Sequence, residues 1–147
     1  MRQEWIVEAA DFSPEEGRRA GQALLTSSPE ISAIVAVSDT LAMGVLQAAR
    51  GVGRSVPEDL AVVGIDDMEL AAFMEPPLTT VAFPAFAMGE SAMTMLRTLI
   101  DSKTPRPRRQ LLPTALVVRR SCGCAGAGNE HDPAIESVRL VEGGPKS

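Results

Sequence analysis

The sequence predicts an α/β fold built on a parallel sheet. Three observations carry this expectation. Ala33–Val37 (AIVAV) and Leu60–Val63 (LAVV) are short, continuous apolar runs, partly β-branched, as in strands buried on both faces. Between them, Thr40–Arg50 (TLAMGVLQAAR) has helical period, with Leu41, Val45, Ala48 and Ala49 on the side to be buried. Strand, helix and strand within about 30 residues make a βαβ unit, whose crossover is right-handed.

The other elements follow in chain order. Trp5–Glu8 (WIVE) reads as a strand. A helix then opens at Ser13-Pro14: Ser13 is the N-cap, Pro14 suits the first helical position, and Glu16 completes a capping box. It runs to about Ser27, with Ala20, Ala23, Leu24 and Leu25 as its apolar stripe. Ser38-Asp39 offers cap oxygens to the helix at Thr40, and Gly51 stops that helix. Gly51-Val52-Gly53 follows a helix and has no third glycine, so it terminates the helix and is no dinucleotide fingerprint. The second buried strand ends at Gly64-Ile65-Asp66-Asp67, and Met68–Phe73 forms a short helical turn. Leu78–Ala82 is a further strand. Pro84–Ile100 is an amphipathic helix, with Met88, Ala92, Met95, Leu96 and Leu99 on its apolar side. Left bare, that side would be an interaction patch, so it should fold back on the sheet or pair with another chain. Ser102–Arg109 is a loop, and Gln110–Val118 is a strand broken or bulged at Pro113. Residues 125–147 open Gly-rich, lack periodicity and read as a flexible tail.

Composition narrows the function classes. The 147 residues suffice for one ordinary domain, and 45% apolar with 22% charged residues suits a folded core. The net charge of −5 lacks the basic footprint of a nucleic-acid binder, and 3% aromatics leave no base-stacking platform. The longest apolar run is far below the roughly 20 residues that span a bilayer, and no apolar stretch follows the N-terminus as in a secretory signal. The chain reads as cytoplasmic, with no membrane partner. Cys122-Gly123-Cys124 is too short a pair for a disulfide framework. With His131 it offers at most three metal ligands, so the cysteines read as ordinary thiols and no metal is expected. Arg106, Arg108, Arg109, Arg119 and Arg120 read as a solvated basic face.

In an open α/β sheet, ligands bind beyond the carboxyl ends of the strands. Asp11 and Phe12, Ser38 and Asp39, and Asp66 and Asp67 fall at such ends. A carboxylate there can take two hydrogen bonds from vicinal hydroxyls, and Phe12 can stack on a ring. The alternative is local: Ser38 or Asp39 caps a helix, and Asp67 caps the next turn. A phosphoryl-accepting receiver domain would need a late strand-end lysine, but the lysines are Lys103 and Lys146. Adjacent carboxylates on a turn point apart, against glycosidase chemistry. No phosphate loop or nucleophile elbow is present, so neither an enzyme nor a cofactor is expected. Met43, Met68 and Met74 suit either core packing or a subunit contact.

Several segments together resemble lactose/galactose-repressor-type (LacI-type) transcription regulators. Ala33–Gly44 (AIVAVSDTLAMG) is similar to the family's strand-to-helix segment, and Val56–Asp67 (VPEDLAVVGIDD) to its next strand and acidic turn. Pro76–Val81 (PPLTTV) resembles the crossover strand, and Leu111–Ser121 the final strand. The resemblance covers residues 4 to about 122. It implies a periplasmic-binding-protein-like (type I) lobe, three-layer α/β/α but incomplete, over residues 1–124. Residues 78–103 would be the crossover strand and helix that normally belong to the other lobe, and the DNA-reading head and most of the first lobe would be missing. By resemblance, Asp66 is the effector-binding aspartate, Ser38 a cleft-facing polar position, Phe12 a stacking aromatic beside Asp11, and Phe83 a ligand-contacting position. Leu41, Met43, Gln47, Met68, Ala71 and Phe73 would lie on a homodimer surface. The implied function is sensing of a small molecule, a sugar or related effector, with DNA bound only through the absent head. The stretch Arg119–Cys124 (RRSCGC) also resembles sensor modules of signalling proteins, which is the alternative.

Overall fold

The computed structural model describes residues 3–101 and 109–124. Arg106, Arg108, Lys103, Lys146, His131 and the expected tail at 125–147 lie outside the described residues. The regular elements are α1 (Pro14–Ser27), β1 (Ala33–Val35), α2 (Asp39–Gly51), β2 (Ala61–Asp66), β3 (Thr79–Ala82), α3 (Ala85–Asp101) and β4 (Ala115–Val117). Short 3-10 turns occupy Gln3–Trp5, Glu69–Phe73 and Arg120–Cys122. The sheet order is β1-β2-β3-β4. The first three strands are parallel, as expected, but β4 runs antiparallel to β3, with Val81 opposite Leu116. The sheet is therefore mixed.

The capped first helix forms as its sequence dictates. Ser13 Oγ accepts the Glu16 N–H at 3.2 Å. The box closes only on that side: Glu16 accepts the Ala10 N–H at 2.8 Å, while the Ser13 N–H donates to Asp11 Oδ1. Its buried stripe is Gly17, Gly21, Leu24 and Leu25. Ala23 is exposed and Ala20 half-buried, because the glycines mark where α1 crosses α2. A Cβ on Gly17 would strike the Leu41 backbone, and one on Gly44 would strike Pro14 O and Arg18 N. This contact is closer than any side chain permits.

Helix α2 lies on the sheet with Leu41, Val45, Ala48 and Ala49 buried as expected. It ends in a Schellman motif: Arg54 N–H reaches Ala49 O at 2.9 Å and Gly53 N–H reaches Arg50 O at 3.1 Å. The left-handed residue is Gly53 (φ +75°), so Gly53 and not Gly51 stops the helix. Leu60, Val62 and Leu78 are fully buried beneath α2 and the Glu69–Phe73 turn.

Two expectations fail for a shared reason, missing neighbours, and of the two ways to cover the helix from Pro84 one is not taken. Trp5–Glu8 is no strand: a 3-10 turn ends at Trp5, Ile6 is 55% exposed, and β1 pairs with β2 alone among the described residues. β1 is not buried on both faces. Ile34 and Ala36 face α2, but Val35 and Val37 are 66% and 63% exposed, so the third layer is absent among the described residues. Helix α3 does not fold back on the sheet. It has no buried residue and leaves Phe86 81% exposed. Partial cover runs only along Ala87, Ser91, Met95 and Leu99. Pro84 starts the helix directly past the end of β3, and the covered face of the sheet already holds α2.

Candidate functional site

Because β1, β2 and β3 are parallel, their carboxyl ends share one edge, the ligand-binding edge of open α/β sheets. Asp66 ends β2, Ser38 follows β1, and Phe83 follows β3. The close contacts of Gly17 with Leu41 and Gly44 with Pro14 bring the start of α1 beside the start of α2. Asp11 and Phe12 thus belong to the same edge.

The corner after β2 is unusual in its backbone. Asp66 and Asp67 both have positive φ, 119° and 53°. Non-glycine residues reach this region at a cost of about 1–3 kcal/mol each when the surroundings hold them there. The surroundings are specific. The Asp39 carboxylate is fully buried at the start of α2. Its Oδ1 accepts the Thr80 hydroxyl at 2.6 Å and its Oδ2 accepts the Met68 N–H at 2.8 Å. Thr80 Oγ1 in turn accepts the Asp67 N–H at 3.3 Å. Gly64 makes room for the carboxylate, since a Cβ there would meet Asp39 Oδ1 and Leu78.

A second brace comes from the end of the chain's described part. Arg119 pairs with Asp67 Oδ1 at 2.6 Å and donates its other terminal nitrogen to Leu78 O at 2.8 Å. The Arg119 N–H donates to Thr79 Oγ1. The buried Ser121 hydroxyl accepts the Thr79 N–H at 2.8 Å and donates to Val62 O at 2.6 Å, tying β2 to β3 below the corner.

The two aspartates accordingly part company. Asp67 is spent on Arg119 and does not cap the Glu69–Phe73 turn, which begins at Met68 without a side-chain cap. Asp66 is exposed, and its carboxylate has no hydrogen-bond partner among the described residues. It is free to accept hydroxyls or a cationic group.

The other expected positions divide. Phe12 is 66% and Phe83 44% exposed at the same edge, available for stacking. Asp11 keeps one carboxylate oxygen beyond the bond to the Ser13 N–H. The Ser38 hydroxyl is committed locally: it caps α2 through the Leu41 N–H at 3.2 Å and shares a hydrogen bond with Thr40. Asp39 caps nothing, because its oxygens point under the corner. Of the expected dimer surface, Leu41 and Ala71 are core residues, 6% and 0% exposed. Met43 is half-buried, while Gln47, Met68 and Phe73 are exposed. Met74 packs against the core.

Thr80 and Arg119 were not singled out by the sequence as parts of this corner. Their signal was present: a Thr-Thr pair inside an otherwise apolar strand must find partners once buried. Arg119 corrects the reading of its cluster as a solvated face, being only 19% exposed and ion-paired. Among the described residues no group of three or more His, Cys, Asp and Glu could hold a metal ion, and no helix is long and apolar enough to cross a membrane.

Comparison with known proteins gives the family of the fold. A family model described as a periplasmic binding protein-like domain matches residues 1–122. The HTH-type transcriptional regulator CelR of Thermobifida fusca is 40% identical over 118 residues, 80% of this chain and 35% of that protein. The HTH-type transcriptional repressor PurR of Yersinia enterocolitica is 38% identical over 121 residues, 82% of this chain and 35% of that protein. The solved CelR–cellobiose complex superposes with a TM-score of 0.76 at 39% identity, covering 82% of this chain and 37% of that one. A LacI family regulator from Arthrobacter sp. FB24, complexed with lactose, gives a TM-score of 0.63 at 36% identity, covering 75% of this chain and 41% of that one. The chain spans about a third of the length of the curated relatives it matches. With this match over most of its length, the chain belongs to the periplasmic binding protein-like family, and its relatives there are LacI-type transcriptional regulators.

Proposed function

We propose that this chain is effector-sensing material of a LacI-type transcription regulator, and that its ligand is a sugar or related polyol. The observation that carries the reading is the exposed, unpartnered Asp66 carboxylate on a corner braced from beneath by Asp39, Thr80 and Arg119. A preset acceptor at the edge of a sheet suits vicinal hydroxyls, with Phe12 and Phe83 as apolar flanks. The bound cellobiose and lactose of the two solved relatives support a sugar. Their names as transcriptional regulators favour this output over a signalling sensor module.

Ligand would act by binding one of two lobe arrangements better than the other, since coupling requires unequal affinity for two states. Met43, Gln47, Met68 and Phe73 supply the homodimer surface in this reading, and a head outside this chain reads DNA. One wall of a cleft binds weakly, so the chain alone should show little sugar affinity. The test is a chimera in which this chain replaces the matching third of a CelR-type regulator. Saturation at 100-fold over Kd is worth about 2.7 kcal/mol, a rise of several °C in Tm. That rise with one sugar of a sugar and purine panel, and its loss in Asp66→Ala, is the expected result. A folded chimera that no sugar stabilises, or that a purine alone stabilises, defeats the proposal.

A further inference from the structure

The turn after Ser121 carries chemistry that effector binding does not use. Gly123 has φ +72° and ends the 3-10 turn Arg120–Cys122, folding Cys122-Gly123-Cys124 back on itself. The Cys124 N–H donates to Cys122 Sγ at 3.4 Å, and the Cys122 thiol donates to Arg119 O at 3.6 Å. A central residue with helix-like dihedrals of either hand sets its neighbours' Cα atoms about 5.4 Å apart. A disulfide needs about 4.4–6.8 Å. The glycine supplies the left-handed conformation without a Cβ penalty. Both cysteines are free, Cys124 exposed and Cys122 half-buried.

We propose that Cys122 and Cys124 form a redox-active dithiol that closes to an internal disulfide on meeting a low-molecular-weight disulfide. The Cys122 thiolate attacks one sulfur of the small disulfide, forming a mixed disulfide and releasing one small thiolate. Cys124, as thiolate, then attacks Cys122 Sγ, forms the internal bond and releases the second small thiolate. Two protein thiols give up two electrons and two protons, and one small disulfide becomes two thiols. The polarity of the pair suits this order. Burial pushes the Cys122 thiol up, but hydrogen bonds from Cys124, Thr79 and the backbone outweigh it and hold Cys122 below the ordinary thiol value. The same hydrogen bond to Cys122 pushes Cys124 up, leaving Cys122 as the first nucleophile and Cys124 as the resolving thiol. Closure would withdraw the Cys122 thiol from the carbonyl of Arg119, the residue that braces Asp67.

The test equilibrates the full chain with mixtures of oxidised and reduced glutathione, traps thiols by alkylation and maps the peptides by mass. The expected product is the internal Cys122–Cys124 disulfide, with Cys124→Ser arrested as the glutathione adduct on Cys122. Because the fold presets the turn, closure should have at least a tenfold higher effective concentration in the native chain than in urea. Equal values in the two conditions, stable glutathione adducts on both cysteines, or disulfides only between chains would each overturn the proposal.

Discussion

Replacing Asp39 by alanine removes the carboxylate beneath the strand-end corner. The native carboxylate is fully buried and accepts the Thr80 hydroxyl and the Met68 N–H. Hydrogen bonds to a charged group contribute about 1.5–3 kcal/mol each. Burying the charge opposes this, and its removal returns part of the loss. What remains is a cavity and two donors without acceptors, each unsatisfied buried group costing about 1–3 kcal/mol. The expected net loss is about 2–4 kcal/mol by urea unfolding, or roughly 5–15 °C in Tm for a domain of this size. Asp39→Asn is the graded control. Its amide keeps one acceptor for Met68, and the Thr80 hydroxyl can turn to accept from the new NH2, so about 1 kcal/mol is expected. Amide exchange separates a local role from a global one: the Asp67 and Met68 N–H groups should lose protection in Asp39→Ala before the β2 interior does. A loss below about 0.5 kcal/mol, with those amides as protected as before, would refute the brace.

Arg119→Lys cannot span both Asp67 Oδ1 and Leu78 O with one ammonium, so a chemical denaturation series should show a loss of about 1–2 kcal/mol despite the kept charge. The helix crossing predicts opposite signs for two glycines. Gly44→Ala forces a Cβ into the backbone of Pro14 and Arg18 and should cost about 3 kcal/mol or more, whereas Gly51→Ala meets open space and should gain up to about 1 kcal/mol in the same thermal melts. Glu16 supplies a pH signature. The Arg19 guanidinium, helped by the Ala10 N–H, lowers its carboxyl from 4.5 to about 2. A depressed carboxyl contributes stability that is complete above its unfolded pKa, so stability should fall from pH 4.5 toward pH 2. Glu16→Gln should flatten that part of the profile, and an unchanged slope would show that other carboxylates carry it.

The sequence made the local structure legible wherever a short segment satisfied itself. Ser13-Pro14 set the start of α1, and Leu41, Val45, Ala48 and Ala49 marked the buried side of α2. The βαβ unit followed from two apolar runs and the helix between them. Legibility failed where the outcome depended on a neighbour. WIVE has the composition of a strand but no ladder partner among the described residues, so Ile6 and Val7 stay exposed. AIVAV looked buried on both faces because β-branched residues score alike whether or not a second layer covers them. The glycines at 17, 21 and 44 were invisible as a helix crossing, since close approach is a property of the pair and not of either helix. At the candidate site, Asp66 and Asp67 were legible by their place after a strand. Their division of labour was not, because Arg119 lies 52 positions away from Asp67 in sequence.

That division gives the corner its functional logic. Two consecutive aspartates at positive φ cost about 1–3 kcal/mol each, and an isolated peptide of this sequence would relax them. The bonds from Asp39, Thr80 and Arg119 are of the same size and arrive from three different elements. The strain is thus held by long-range contacts that form only when α2, β3 and the segment after β4 are in place. A carboxylate held in this way has lost its backbone freedom before a ligand arrives, so a polyol need not supply that ordering on binding. A flexible loop could offer the same carboxylate, but each bound hydroxyl would then have to offset the ordering of the loop. Measuring Asp66 affinity in the Asp39→Asn background of the chimera isolates this term. The contact to the Thr80 hydroxyl is weakened there while Asp66 itself is unchanged. If the brace preorganises the site, Kd should rise by several-fold with the hydroxyl preferences unaltered. If Asp39 serves stability alone, Kd should stay fixed wherever the variant is folded.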